Sequence, residues 1–527
     1  MKISKLFMLT ISVLTIGLTA PMHAQTSLTT LYNFHSPGLD GAYPEFSMIL
    51  SGNTLYGTTA AGGSGNSVGA LYSIQTDGTG FHLLFSFPGG ATGASSPTGA
   101  LALSGSTLYG TAAIGGTGSD GVVYSIGTNG KGYTVLHAFS GSDGANPQTG
   151  VVLSGNTLYG VASSGGANNA GVLFKVNTDG TGFGILFVFG GGNGSYPGNL
   201  VLSGDTLYGT TTGTGGADGF QTIYSIKTDG TGFDNLYVDF NGPDIGDNID
   251  SGRFVTISGN TLYCTAATAA NPAQSIIFSI NTDGTGFTPL YTFTGSFGNG
   301  AGGPMTVSGG TIYGTTGFSG ADFHGTIFSL NTDGTNFTIL YNFTDGNDGG
   351  DPDGGLLVSN NVLYGTTDES DNGVNDGTIF AATLNFSGQY EIQCVASGLA
   401  ANVKGGSDTD GAEIIQWPFS GTGNEVWTLI PTSNGYYQIN NIQSGLDMVV
   451  QNASTAEGAK IIQWSFGSSG DDQWKPVLNS DGSYTFYNLR SGMALDDPSG
   501  STSQGTQFDQ WAADHDTNQE FDLIPQL

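Results

Sequence analysis

From Leu28 to Leu384 the chain alternates short runs of β-branched, aliphatic and aromatic residues with clusters of Gly, Ser, Asn and Asp. Runs of five to eight residues bounded by turn formers predict short strands. After the first 25 residues no window carries the 3.6-residue apolar spacing of an amphipathic helix. The pattern also repeats. The string LSGNTLYGTT at Leu50–Thr59 returns seven times, with its tyrosine at Tyr56, Tyr109, Tyr159, Tyr208, Tyr263, Tyr313 and Tyr364, at spacings of 53, 50, 49, 55, 50 and 51. Each unit resolves into four strand-like pieces, as in Gly99–Gly105, Ser106–Ala112, Gly121–Gly127 and Tyr133–Phe139. Thr-Asp-Gly-Thr-Gly links the third and fourth, at Asp77, Asp179, Asp229 and Asp283. Gly accepts positive φ there and Asp bonds its own backbone.

Four antiparallel strands repeated seven times predict a seven-bladed β-propeller. Leu28–Phe34 reads as the fourth strand of a unit, and the seventh unit stops after its third strand, Gly377–Leu384. The first segment is therefore expected to complete the last blade and remove two sheet edges. The L-S-G-x-T-L-Y-G-T-T phrase, the following Gly-Gly, the G-T-I-F-S-I strand and the D-G-x-x-P loop resemble the Gloeobacter/Verrucomicrobium-type tandem repeat over about 28–384. The resemblance implies a propeller-like array in exported proteins and carries no activity. Sialidase Asp boxes and WD and kelch signatures are absent.

Composition changes after Leu384, because all five Trp lie in the last 140 residues. A second repeat appears there. Ile414–Trp427 is echoed by Ile461–Trp474 and Phe508–Phe521, with a period of 47 at Trp417, Trp464 and Trp511. Three units, each preceded by a Ser-Gly start at Ser397, Ser444 and Ser491, predict a β-trefoil. Residues 388–527 are similar to the ricin-type lectins, whose Q-x-W core motif survives as Glu425-Val426-Trp427, Asp472-Gln473-Trp474 and Gln519-Glu520-Phe521. The resemblance implies that Trp427, Trp474 and Phe521 are core. It also implies a sugar pocket made of an acid, an aromatic platform and an Asn/Gln pair. The third unit supplies Asp496, Trp511, Asn518 and Gln519. The first supplies Asn402, Trp417, Asn424 and Glu425, with an amide in place of the acid. The second has Val449 at that position, with Trp464, Asp471 and Asp472, and fits worst.

The first residues read as a secretory signal, 1–24. Lys2 and Lys5 precede an uncharged run from Leu6 to Ala20, and Ala24 offers a small residue for cleavage. Fifteen residues rise only about 22 Å as a helix, short of the ~30 Å needed to span a bilayer. The expected product is a secreted chain with no membrane span. Beyond the leader, 8 basic residues face 42 acidic ones. That balance excludes nucleic acid, whose phosphates require cations. Cys264 and Cys394 fall in different domains and read as small buried fillers.

Links from second to third strand and from blade to blade share one face of such a ring, and here they are long and uneven. Acids collect there. Asp345, Asp348, Asp351 and Asp353 in Thr344–Gly355, and Asp368, Glu369, Asp371 and Asp376 beyond, offer oxygen ligands suited to Ca²⁺, as do Asp244, Asp247 and Asp250. Ordinary turn chemistry accounts for the same residues. His35, His82, His137 and His324 lack zinc-ligand spacing. No cofactor other than this Ca²⁺ candidate is implied. The expected function is carbohydrate binding or adhesion, with the propeller as a platform. A polysaccharide hydrolase or lyase tethered by its trefoil is the alternative, and hydrolysis would need two carboxyl groups ~5–9.5 Å apart.

Overall fold

The computed structural model describes residues 26–526 apart from 36–38, 65–67, 91–92, 212–220, 240–253, 268–274, 295–300, 302, 309, 318, 321–322, 369–375, 385, 387, 433–434, 468, 480–482 and 515. The leader, Asp244, Asp247, Asp250, Glu369 and Asp371 lie outside the described residues. Seven four-stranded antiparallel sheets follow one another along the chain. The second is formed by Ala94–Ser104, Thr107–Gly115, Val122–Gly127 and Thr134–Ala138, paired in chain order. The seventh breaks chain order as expected. Ser27–Asn33 pairs with Thr378–Thr383 in the register Leu28↔Ala382 and Thr30↔Phe380, and becomes its outer strand.

Sequence repetition becomes packing repetition at the seams between blades. Seven apolar clusters each draw on two neighbouring blades. The closing seam joins Phe34 of the N-terminal segment to Leu55 and Tyr72 of the first blade and to Tyr364 and Ile379 of the seventh. Six of the seven repeat tyrosines are buried, which is the packing role their recurrence implies. The glycine after each tyrosine faces an aromatic across the ladder. Gly160 sits opposite Phe174, and a Cβ on it would lie 2.5 Å from the ring. The fifth blade carries the buried, free Cys264 at that position, opposite Phe278.

A further aromatic from each third-to-fourth turn stacks on the fourth strand of the preceding blade. Tyr32–Phe81, His137–Phe183, Phe187–Phe233 and Tyr291–Phe337 have ring centroids 3.7, 3.4, 3.8 and 3.8 Å apart. Ring-on-ring contact adds to the apolar area removed from water. The seam between sixth and seventh blades has no such turn, because the seventh blade takes its fourth strand from the chain's start. Leu28 and Leu384 pack there instead, and the Tyr341 hydroxyl donates to Asp348 at 3.0 Å.

Beyond Phe386 the remaining strands form one twelve-stranded closed system, the trefoil. Trp427, Trp474 and Phe521 are fully buried at its centre. The two indoles donate to the carbonyls of Ala401 (2.9 Å) and Met448 (2.8 Å). A cycle of buried glutamines latches the three units. Gln416 Nε2 donates to Ser501 O and Ser503 O, Gln463 Nε2 to Ser407 O and Thr409 O, and Gln510 Nε2 to Ser454 O and Ala456 O. Buried carbonyls left without donors would be costly, so each unit completes another. Asn361, in a first-to-second turn of the seventh blade, donates to Pro476 O at 2.6 Å, and Phe386 packs edge-on against Tyr437 and Tyr484. The trefoil therefore meets the propeller on its short-turn face. No helix among the described residues is long and apolar enough to cross a membrane.

Removing residues 26–34 from the leaderless chain exposes the edge of Thr378–Thr383 and empties the closing seam of Phe34. The truncated protein is expected to lose its cooperative thermal transition for the propeller and to aggregate, whereas the trefoil still unfolds as a separate event. Calorimetry with size-exclusion chromatography checks this. An unchanged transition would show that the ring does not depend on closure.

Candidate functional site

In the third trefoil unit, Ala494–Asp496 pairs with Asp509–Trp511 so that Asp496 and Asp509 are register partners. This pairing sets two carboxyl groups side by side beneath the Trp511 ring, which is 44% exposed. A cavity of about 690 Å³ opens above them, and its lining includes Asp496, Asp509, Trp511, Asp514, Asp516 and Asn518. Gln519 lies beneath it, fully buried. Gln519 Nε2 donates to Asp496 Oδ1 at 2.9 Å and to Ala512 O at 3.1 Å. Asn518 Nδ2 donates to the same Asp496 oxygen at 2.9 Å and to Asp497 O at 3.2 Å. The four residues read from the sequence thus meet at one place. Burial, reinforced by the neighbouring Asp509 and Asp514, pushes the Asp496 carboxyl up to about 6 against the pull of Gln519. Burial, with Asp496 and Asp509 nearby, pushes Asp497 up to about 7.

Sequence reasoning missed Asp509, Asp514 and Asp516. The signal was present two residues before the platform tryptophan, where the other units carry Ile415 and Ile462 and this one carries an acid.

The first unit keeps the same contact with its chemistry exchanged. Asn402 Nδ2 donates to Glu425 Oε1 at 2.9 Å, so the amide lies on the strand and the acid beside the core aromatic. Glu425 Oε2 accepts from Ser420 N (2.7 Å) and Ser420 Oγ (2.9 Å). Asn424 Nδ2 donates to Val403 O at 3.2 Å, and Trp417 is 42% exposed. In the second unit Val449 is buried and offers no polar atom to Asp472. Asp472 Oδ2 accepts from Gly467 N at 2.6 Å, and its Oδ1 has no hydrogen-bond partner. Trp464 remains exposed without an acid–amide pair beneath it.

The acids of the variable loops separate into two groups. Asp348 closes its own turn, accepting from Thr344 N, Thr344 Oγ1, Gly346 N and Tyr341 OH. Asp143 closes the corresponding turn with Ser140 and His137, and Asp40 does so with Tyr32 and His35. His137 is stacked on Phe183, and burial lowers its basicity. Asp353 and Asp368 instead reach a second cavity of about 570 Å³, lined by residues of all seven blades, where they join Glu45, Phe46 and Phe254. Burial, together with Asp351 and Glu45, pushes Asp353 up to about 7, and burial also raises Glu45. Among the described residues no three His, Cys, Asp or Glu side chains are grouped to hold a metal ion. Of the Ca²⁺ candidates, Asp348 is committed to its turn, while Asp353 reaches the axial cavity with Asp351 beside it.

A search of the curated proteins finds no match to this chain. Among solved structures, the designed threefold-symmetric protein ThreeFoil is 36% identical over 26% of this chain and 99% of its own, with a TM-score of 0.26. The Macrolepiota procera ricin B-like lectin, solved with lactose, is 18% identical over 27% of this chain and 99% of its own, with a TM-score of 0.24. An exo-β-1,3-galactanase from Clostridium thermocellum is 16% identical over 71% of this chain and 95% of its own, with a TM-score of 0.28. The sequence model of the ricin-type β-trefoil lectin domain-like family matches residues 380–464 and 470–526. That of the Gloeobacter/Verrucomicrobia repeat matches 17–222, 96–269 and 212–411. These last matches overlap to span well over half of the sequence, and the chain belongs to the Gloeobacter/Verrucomicrobia repeat family.

Proposed function

We propose that this is an exported carbohydrate-binding protein whose third trefoil unit is the principal sugar site and whose propeller is a rigid platform. One observation carries the reading: Asp496, Trp511 and Asn518 converge on a single open cavity, with Gln519 fixing the acid from below. A sugar's C–H face stacks on an indole while its hydroxyls bond to carboxylate and amide groups. The lectin-type match over the same residues supports it. The exchanged acid–amide pair of the first unit makes a second, weaker site, and the second unit lacks the pair. Export is supported by the Lys2–Ala24 leader.

A glycan array with the purified chain tests the reading, and absence of binding by a folded trefoil would refute it. Trp511→Ala and Asp496→Ala should each weaken binding by about tenfold or more, the order expected when a buried hydrogen-bonding or stacking group is lost. Val449→Ala should leave it within about twofold. Equal losses in all three would remove the assignment to the third unit.

The Asp496 carboxyl lies near 6 in the folded chain, so it is ionised above that pH and protonated below. A sugar hydroxyl donating to the carboxylate needs the ionised form. Affinity for a neutral sugar is expected to fall as pH drops from about 7 to 5, and Asp496→Asn should remove the dependence. Isothermal titration across that range checks it.

Hydrolysis of a polysaccharide is the second reading, favoured by the meeting of Glu45, Asp353 and Asp368 in the axial cavity. Carboxyl groups whose surroundings separate their ionisation can divide acid and base roles. A reducing-sugar assay, with an assay for unsaturated product, on every array-positive glycan decides it. Asp353→Asn should abolish any release. Because folding raises Asp353 to about 7, above the ~3.9 of an unfolded aspartate, its stabilising share is full below about pH 4 and lost as pH rises through 7. The variant should therefore gain Tm relative to the parent at pH 8 and match it more closely at pH 5.

A further inference from the structure

We propose that the third trefoil unit selects a sugar bearing a free ammonium group over its neutral and acidic counterparts. This rests on the carbohydrate reading above and adds the charge of the ligand.

The cavity is richer in charged acceptors than in donors, which beside the amides are the Ser499 and Thr517 hydroxyls and the Trp511 indole. Four carboxyl groups, Asp496, Asp509, Asp514 and Asp516, line it, and none of the described lining residues is basic. The amide donors nearby are already used, Asn518 Nδ2 on Asp496 and the Asp497 carbonyl, Gln519 Nε2 on Asp496 and the Ala512 carbonyl. The Asp514 N–H is spent on Gln519 Oε1, and the Asp516 N–H on Asp514 Oδ1. Asp509 is the telling residue. It is 4% exposed; its Oδ2 holds Lys460 Nζ at 3.0 Å, while its Oδ1 meets no donor group and its carboxyl lies against that of Asp496. Behind it Asp497 is fully buried, and its Oδ1 is likewise without a partner. A buried acceptor left unmet is unfavourable, and more so when it carries charge.

An ammonium group supplies what is missing. It brings three donors and a positive charge, whereas a sugar hydroxyl brings one donor and none. Charge-assisted bonds are about twice as strong as neutral ones. A uronic or sialic carboxylate would add a further negative charge to four already present. The preference belongs to this unit, because Ile415 and Ile462 stand where Asp509 does.

Proton linkage gives the selection a signature. Burial holds Asp496 up near 6, with Asp509 and Asp514 adding to it, and holds Asp497 up near 7, with Asp496 and Asp509 adding to it. The remaining titratable groups against them are Lys460 on Asp509, Asp516 on the rim, and Cys394, whose Sγ is 4.0 Å from Asp497 Oδ2. A bound cation favours the ionised carboxyls, so binding releases protons and tightens as pH rises through about 6 to 7.

The experiment is calorimetric titration of the whole leaderless chain with glucosamine, glucose and glucuronate, and with galactosamine, galactose and galacturonate. At pH 7.5 the amine is expected to bind at least fivefold tighter than its neutral counterpart, and the ratio should shrink at pH 5. The protein's acidity attracts any cation, so the decisive reading is the amine-to-neutral ratio across variants. Asp509→Asn should cut it at least threefold, and the exposed rim variant Asp516→Asn should cut it less. Asp229→Asn, the same charge change in a propeller turn, should leave it intact. Uronates binding as well as amines, a ratio unchanged in both pocket variants, or an equal fall in Asp229→Asn would overturn the selection while leaving carbohydrate binding standing. No binding of any sugar in either series would remove both.

Discussion

Pairing of Ser27–Asn33 with Thr378–Thr383 is the constraint on which the rest of the structure depends. Each blade buries its aromatics only against a neighbour, so six seams without the seventh would leave two sheets with an unpaired face and a free edge. With the ring closed, residues from all seven blades come together around one axial cavity. A chain with so few charged side chains and two free cysteines relies on its apolar seams, and on closing the last of them, to hold a large array together. Closure takes the place of disulfides.

The trefoil meets the same difficulty at smaller scale and solves it with polar groups. Its three glutamines pass hydrogen bonds around a cycle, so no unit is complete alone. That cycle holds the strand bearing each half-exposed tryptophan in place, and in the second and third units Gln463 and Gln510 also accept from Ser444 Oγ and Ser491 Oγ of the Ser-Gly starts. The acid–amide pair of the third unit therefore sits on a frame that cannot relax around it, as pre-organised recognition needs. In the first unit the pair is retained with its members exchanged, which preserves the contact but turns the carboxylate toward Ser420 and away from the position occupied by Asp496.

Much of this was legible in the residues, for reasons that differ between domains. Seven tyrosines at a near-constant interval fixed the blade count because packing at every seam demands the same ring. Leu28–Phe34 and the missing fourth strand of the seventh unit revealed closure because that strand can come only from one other place. The Asp496 set was readable because the trefoil repeats at 47 residues and its polar positions stand out against an apolar frame. Asp509 was not, since the resemblance assigned no role to that position and only comparison with Ile415 and Ile462 exposes it. Nor could spacing tell Asp348 from Asp353. The two lie five residues apart in one acidic loop, yet one ties a turn and the other points to the axis, and that division is made by three-dimensional neighbours alone.

The place where the two domains join also determines how the molecule carries load. The link to the trefoil leaves from Thr378–Thr383, which is not an edge strand but is flanked by Val362–Thr367 on one side and Ser27–Asn33 on the other. Tension applied through a gripped glycan enters the ring along a strand held by two antiparallel ladders, whose hydrogen bonds lie across the direction of pull and yield together in shear. A connection from an outer strand would have peeled one bond at a time. The N-terminal strand thus also acts as a mechanical clamp at the point where the trefoil's load enters the ring.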